Sequence, residues 1–237
     1  MSKIFTINYY KYFYDIILNK ARTENEVSFI EKYLEINKHD KILDLSCWFW
    51  RHTEILLNKW YNVYWIDISN SFISYIKRKS NFKDKYILWD IRKEIKEKDC
   101  NKIYSLHTSF WYFSDLENEK IIQNISNILL NKWKFLLDLN NPYDKNLFLE
   151  WESKLEKWED YILDRKSVED NKLSFKRIIK KWKKIINEKY CLSIYTDKEL
   201  EDIWNKYNLK LVKKYWDFKW SEFDNKSKRM ILIFEKY

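Results

Sequence analysis

The sequence predicts an α/β protein with a doubly wound sheet, mostly parallel, an antiparallel last strand and a small antiparallel β insertion. Three observations lead there. Short apolar runs alternate with amphipathic helical stretches from residue 41 to 140. Such alternation at this spacing means parallel strands joined by right-handed crossovers. The apolar runs end in acids or polar loop residues, as buried strands do at their carboxyl ends. Between 155 and 195 the pattern changes to alternating strands, and the α/β pattern then resumes.

Each element follows from its residues. Residues 9–20 have helical apolar spacing, and Thr23 with Glu26 three positions on reads as a capping box for a helix to about Leu34. Strands are expected at 41–46, 61–67, 85–90, 102–107 and 134–140, with helices at 52–59 and 116–131 between them and a third beginning at the cap Ser69. Three antiparallel strands fall at 159–168, 172–180 and 184–195. Thr196 caps another helix, and 209–215 with 229–235 form a closing antiparallel hairpin. The chain reads as a single domain, 1–237, with a helical leader at 1–36 and a β insertion at 144–194.

Composition narrows the classes. The 237 residues include no Gly and one Pro but 13 Trp. With 34% charged and 46% hydrophobic residues, a disordered tail is excluded. No run approaches the ~18 apolar residues of a membrane span, and the opening MSKIFTINYYKYF lacks the apolar core of a signal peptide. Cys47, Cys100 and Cys191 are widely spaced, with no CxxC pair, and read as reduced thiols of a cytoplasmic protein. The net charge of +9 accompanies abundant Lys, Asn, Ile and Tyr and almost no Ala, Gly or Pro. That is the imprint of AT-rich codons, so the charge alone names no partner.

The same codon bias makes the Trp count anomalous. Trp60 and Trp133 stand between helix-like and strand-like stretches, where a helix end calls for a left-handed residue, usually Gly. Trp182 stands between two strand-like runs, where a tight hairpin needs positive φ. The expectation is that UGA encodes Gly in the source and is written here as Trp, an alternative genetic code. Trp151, Trp158 and Trp204 are consistent with ordinary packed aromatics.

In such sheets a ligand binds beyond the carboxyl ends of the strands, at the switch point beside the first strand. That strand runs into Asp44-Leu45-Ser46-Cys47-Trp48-Phe49-Trp50-Arg51. With Gly for both Trp residues it becomes LDLSCGFGR, which resembles the cofactor loop of class I S-adenosylmethionine-dependent methyltransferases, a Rossmann-like family. Asp67 lies 23 residues after Asp44, where that family places its ribose acid. His107-Thr108-Ser109-Phe110-Trp111-Tyr112-Phe113 resembles the TSFGYF stretch of a bacterial small methyltransferase-domain subgroup. The leader helices and the last strands look similar as well.

The resemblance implies S-adenosyl-L-methionine as cofactor and methyl transfer by in-line displacement. It assigns cofactor binding to Asp44, Ser46, Cys47, Trp48, Phe49, Trp50, Asp67, Ile68, Asp90, Ile91, Leu106 and His107, and no metal. Asp67 would take the ribose hydroxyls, which one carboxylate can accept together, while Asp90 and Ile91 would flank the adenine. A dinucleotide oxidoreductase would want a further Gly three residues after position 50, where Thr53 stands. A P-loop is excluded because no Lys-Ser/Thr follows. Asn140-Asn141-Pro142-Tyr143 suggests the box of adenine-N6 methyltransferases, yet it follows the wrong strand and reads as a turn.

His107, at the tip of the fourth strand, is the candidate general base. His52 is expected near the cofactor and unreactive, and His39 on the surface. Tyr9, Tyr12 and Tyr14 close over the site or pack as a helix face. The β insertion is expected to form the acceptor lid, since the core offers no other wall. The acceptor is expected to be a small molecule. RNA is the alternative, from the basic, aromatic-bearing KLSFKRIIKKWKK, with solvated hairpin faces as the plainer explanation of that segment. A different reading is a non-catalytic partner-binding domain, with Trp48 and Trp50 blocking the cofactor cleft.

Overall fold

The computed structural model describes residues 19–46, 49–169, 172–219, 221–224 and 226–237. The helix expected over 9–20 and Tyr9, Tyr12 and Tyr14 fall outside them, as do Cys47 and Trp48. In chain order the elements are α1 (Lys20–Tyr33), β1 (Lys41–Leu45), α2 (Arg51–Asn58), β2 (Asn62–Asp67), α3 (Asn70–Lys79), β3 (Tyr86–Leu88), β4 (Cys100–Ser105), α4 (Asp115–Ile128) and β5 (Leu129–Asn140). Then come β6 (Trp151–Lys157), β7 (Asp160–Glu169), β8 (Lys172–Lys181), β9 (Lys184–Ser193), α5 (Asp197–Asn205), β10 (Leu209–Tyr215) and β11 (Arg229–Lys236).

Seven strands form one sheet in the order β10-β11-β5-β4-β1-β2-β3. The pairs among β1 to β5 are parallel, and β11 alone runs against both of its neighbours, β5 and β10. The chain steps outward from β1 to β3 and then returns to β4 on the other side of β1. The crevice for a ligand therefore opens at the carboxyl ends of β1 and β4.

Period-two alternation divides the core between the two faces. Ile42, Val63, Trp65 and Leu136 pack with Val27, Phe29 and Ile30 of α1, Leu56 of α2 and Phe72 and Ile76 of α3. Leu43, Ile66, Ile103, Phe135 and Leu137 pack with Ile121 and Ile125 of α4 and Leu200 and Trp204 of α5. Ser69 and Thr196 cap α3 and α5, each side chain accepting from a backbone N–H three residues on.

The second sheet is antiparallel, in the order β6-β7-β8-β9. It holds a fourth strand, β6, that the sequence pattern did not suggest, because WESKLEK carries no apolar alternation. Ile162 of β7 and Ile179 of β8 join the core cluster beside α1 to α3. The backbone N–H of Ser193 donates to the carbonyl of Trp111 at 3.1 Å, tying β9 to the loop after β4.

Three local expectations are corrected. The cap of α1 is Asn19, whose side chain accepts from the Arg22 N–H, so Thr23 lies inside the helix and Glu26 turns elsewhere. A helix cap needs extended backbone, which Asn19 has at φ −111°. Beyond α4, the left-handed residue is Lys132, at φ 68°, and not Trp133. Trp60 and Trp182 do have positive φ, at 65° and 54°. Trp158, expected as a packed aromatic, has φ 58° and is 86% exposed.

Candidate functional site

Asp44 and Asp67 end up on adjacent parallel strands. Asp44 is fully buried, and its Oδ2 accepts from the Thr53 hydroxyl at 2.6 Å and the Tyr104 hydroxyl at 2.9 Å. Those two donors reach it from α2 and β4, so Asp44 locks the switch point from within. Asp67 closes β2, and its Oδ1 accepts the Ser69 N–H at 2.7 Å. Burial pushes the Asp67 carboxyl up to about 7, with the Asp44 charge adding to the effect.

Between them runs the loop after β1. Ser46 is left-handed at φ 56° and donates its N–H to the Ile66 carbonyl at 3.0 Å. Phe49 and Trp50 stack at 3.9 Å. The Trp50 ring also lies against Trp65 of β2 and Tyr75 of α3, at 6.1 and 5.4 Å. Its indole is therefore packed in the core around β2 and α3, which weakens the idea of Trp50 as a plug of the cleft.

The other expected residues line the same edge of the sheet. Ile68 is 38% exposed just past β2, while Ile91 and Leu106 are buried. Asp90 is engaged, because Arg92 reaches both its oxygens at 2.7–3.2 Å and also donates to Glu117 at 2.6 Å. That guanidinium holds the Asp90 carboxyl below its usual range. His39 is exposed. Asn141 spends its amide on the carbonyl of Ser227 at 2.5 Å, and Tyr143 donates its N–H to Asn141 Oδ1 at 3.0 Å. Segment 140–143 is thus a structural turn.

A cluster that the sequence did not disclose surrounds His107. Glu26 of α1 is fully buried, and its Oε2 takes Arg51 Nη1 at 2.6 Å and His52 Nε2 at 2.7 Å. Its Oε1 takes Arg22 Nε at 2.9 Å and faces His107 Nε2 at 3.2 Å. Burial opposes the Glu26 charge, but the histidine hydrogen bonds outweigh it and hold the carboxyl far below its usual range. Two guanidiniums add to that. Burial pushes His52 down to about 3 and lowers His107 as well, against the pull of Glu26. Both imidazoles are therefore neutral near pH 7.

The donor atoms of Glu26, His52 and His107 lie within 4.8 Å of one another, close enough for a metal ion. Here Arg51 and Arg22 already neutralise both Glu26 oxygens, so a divalent cation would have to displace a guanidinium. The visible signal for the cluster was a charged residue, Glu26, on the same helical stripe as Phe29 and Ile30.

His107 and Thr108 are both left-handed, at φ 58° and 57°. Asp138 of β5 holds them there: its Oδ2 accepts the His107 N–H at 2.8 Å and its carbonyl the Thr108 N–H at 3.0 Å. Arg229 of β11 in turn fixes Asp138 at 2.8 Å. Such strain, ~1–3 kcal/mol per residue, is kept where surrounding structure enforces it, often at functional sites. Beside this turn is a small, open pocket lined by Thr108, Trp111, Asn140, Leu173, Leu192 and Tyr195. It lies where β8 and β9 cover the ends of β4 and β5.

No protein-family model and no curated protein matches the chain. Solved structures do resemble it in fold. An S-adenosylmethionine-dependent methyltransferase from Clostridium acetobutylicum superposes with a TM-score of 0.78 at 17% identity, covering 97% of this chain and 96% of that one. The CcbJ methyltransferase from Streptomyces caelestis gives 0.77 at 15%, covering 93% and 97%. CalS10, an amino pentose methyltransferase from Micromonospora echinaspora solved with S-adenosylmethionine bound, gives 0.71 at 10%, covering all of both chains. The fold is the Rossmann-like fold of these enzymes.

Proposed function

We propose that this chain is an S-adenosylmethionine-dependent methyltransferase that acts on a small-molecule acceptor. One observation carries the reading: two buried carboxylates, Asp44 and Asp67, end adjacent parallel strands at the switch point, on either side of a strand-to-helix loop. The fold neighbours named as methyltransferases support it.

The residues present suit the cofactor. Asp67 would accept the ribose hydroxyls, and the loop of Ser46, Cys47, Trp48, Phe49 and Trp50, leading into α2, would hold the methionyl end near helix N–H groups. Ile68, Asp90 and Ile91 would flank the base, and Leu106 and His107 would face the reacting end. When bound, the cofactor supplies an electrophilic methyl on a sulfonium. The protein's part is then mainly orientation and exclusion of water.

The pocket under β8 and β9 is the proposed acceptor site. Its lining mixes apolar Trp111, Leu173 and Leu192 with polar Thr108, Asn140 and Tyr195, the combination a small acceptor site uses. His107 is neutral and has a lone pair to offer, as a base requires. With Nε2–H directed to Glu26 Oε1 at 3.2 Å, Nδ1 carries the lone pair, and it would take an acceptor proton once Arg22 Nη2, 3.4 Å away, turned outward. The Arg22 side chain is 59% exposed and has room to do so.

Calorimetry with S-adenosylhomocysteine tests the cofactor half of the proposal. Binding by the chain, lost in Asp67→Ala, is expected; no binding by either the chain or its Trp48→Gly, Trp50→Gly variant sinks it. A screen of small metabolites and RNA with labelled methyl donor tests the acceptor half. Transfer to RNA alone would replace the small-molecule reading.

A further inference from the structure

We propose that the functional protein carries glycine, not tryptophan, at positions 60, 158 and 182, because UGA codons there are read as glycine in the source cell. The chain as written contains no glycine at all. Among the ten left-handed residues of the described backbone, three are Trp, and each of these stands in a turn where glycine is usual.

Position 60 follows α2. The Tyr61 N–H donates to the Leu56 carbonyl at 3.1 Å and the Trp60 N–H to the Leu57 carbonyl at 2.9 Å. This nested pair of bonds defines the helix ending whose left-handed residue is usually glycine. Trp60 occupies that slot, with φ 65°. Positions 158 and 182 are each the first of two loop residues in a hairpin, closed by the pairs Lys157↔Asp160 and Lys181↔Lys184. Their φ values are 58° and 54°. A two-residue hairpin with positive φ at its first loop residue is a glycine turn.

Burial offsets little of that strain. The three residues are 81%, 86% and 77% exposed, so their indoles gain little from burial. Lys157 and Lys181 lie 5.8 and 5.9 Å from the rings of Trp158 and Trp182, at the outer limit of a cation–π contact. Trp204 shows the contrast: it is fully buried and stacked on Phe135 and Phe234 at 4.7 and 4.5 Å. Its burial justifies an indole. Three separate turns that each misplace the bulkiest residue at a glycine position contradict the local consistency of a foldable sequence. One change in codon meaning removes all three conflicts.

The proposal is independent of the methyl-transfer reading. Peptide mass spectrometry of the protein isolated from its source cell tests it directly. Glycine is expected at all three positions, and tryptophan at any of them overturns the proposal. Thermal unfolding of the recombinant chain gives a second readout. The Trp60→Gly, Trp158→Gly, Trp182→Gly variant should melt higher, by about 2 °C per site, whereas Trp204→Gly should melt lower. A triple variant that melts no higher than the chain as written overturns it as well. Glycine in the native peptides together with failed S-adenosylhomocysteine binding would leave this proposal standing and remove the methyl-transfer reading.

Discussion

Strands β1 and β8 handle polar residues in opposite ways. In β1, Ile42, Leu43, Asp44 and Leu45 are all fully buried, since helices cover both faces of its sheet. Its one carboxylate is enclosed by hydroxyls from two other elements. In β8, Leu173, Ser174 and Ile179 are buried, and the half-buried Arg177 is paired with Asp164 of β7 at 2.5 and 2.6 Å. Lys189 pairs with Glu169, and Arg165 with Glu152, across the same sheet. A charge in a doubly covered strand marks a site, because its burial costs several kcal/mol unless it is compensated. In the antiparallel sheet the charges are mixed: Lys166 and Asp160 of β7 are buried, while Arg165, Glu152, Lys189 and Glu169 pair on an exposed face.

The largest test of this contrast is Glu26, a fully buried charge. Glu26→Ala strands the buried Arg51 and is expected to lower stability by about 3–5 kcal/mol in urea unfolding. Glu26→Gln should cost less, and a loss below ~1 kcal/mol for the alanine variant would show that the cluster is not structural.

Asp67 sharpens the comparison through pH. Its folded carboxyl titrates near 7 against 3.8 for the free group, so the folded state holds a proton that the unfolded state has lost. Stability should then fall as pH rises from about 4 to 7, by on the order of 3 kcal/mol. His52 acts with the opposite sign, since its lowered value removes stability as pH falls from 6.5 toward 3. Asp67→Asn isolates the first effect: its stability between pH 4 and 7 should lack that decline, measured by denaturant midpoints.

Binding separates the two sheets next. Asp67→Ala should weaken S-adenosylhomocysteine by about 10–100-fold, the worth of hydrogen bonds to a charge. Leu192→Ala, in β9, should leave that affinity within about twofold while changing acceptor turnover. Equal losses from both variants would break the division of labour. The smallest effect belongs to the exposed pair Arg165 and Glu152, where a double-mutant cycle should give under about 0.5 kcal/mol.

Much of this was legible in the residues. Asp44 and Asp67 announce themselves because each ends a short apolar run, and Ser69 and Thr196 because caps are local. The parallel order followed from alternation alone. What stayed hidden depends on partners distant in sequence. Strand β6 is hydrophilic and exists through its pairing with β7. Thr23 and Glu26 satisfied the local pattern of a cap, yet Glu26 is claimed by Arg51, His52 and His107, up to 81 positions away. Left-handed Lys132 in place of Trp133 is a one-residue shift that composition cannot resolve.

The position of β11 in the sheet has a consequence for synthesis. It is the last strand to emerge, yet it lies between β5 and β10, with five consecutive core residues from Met230 to Phe234. Until it arrives, β5 has a bare edge and β10 has no neighbour to bond. Arg229, which steadies the turn at His107 through Asp138, arrives with it. On the ribosome, the turn at His107 is thus set only after β11 has joined β5 and β10.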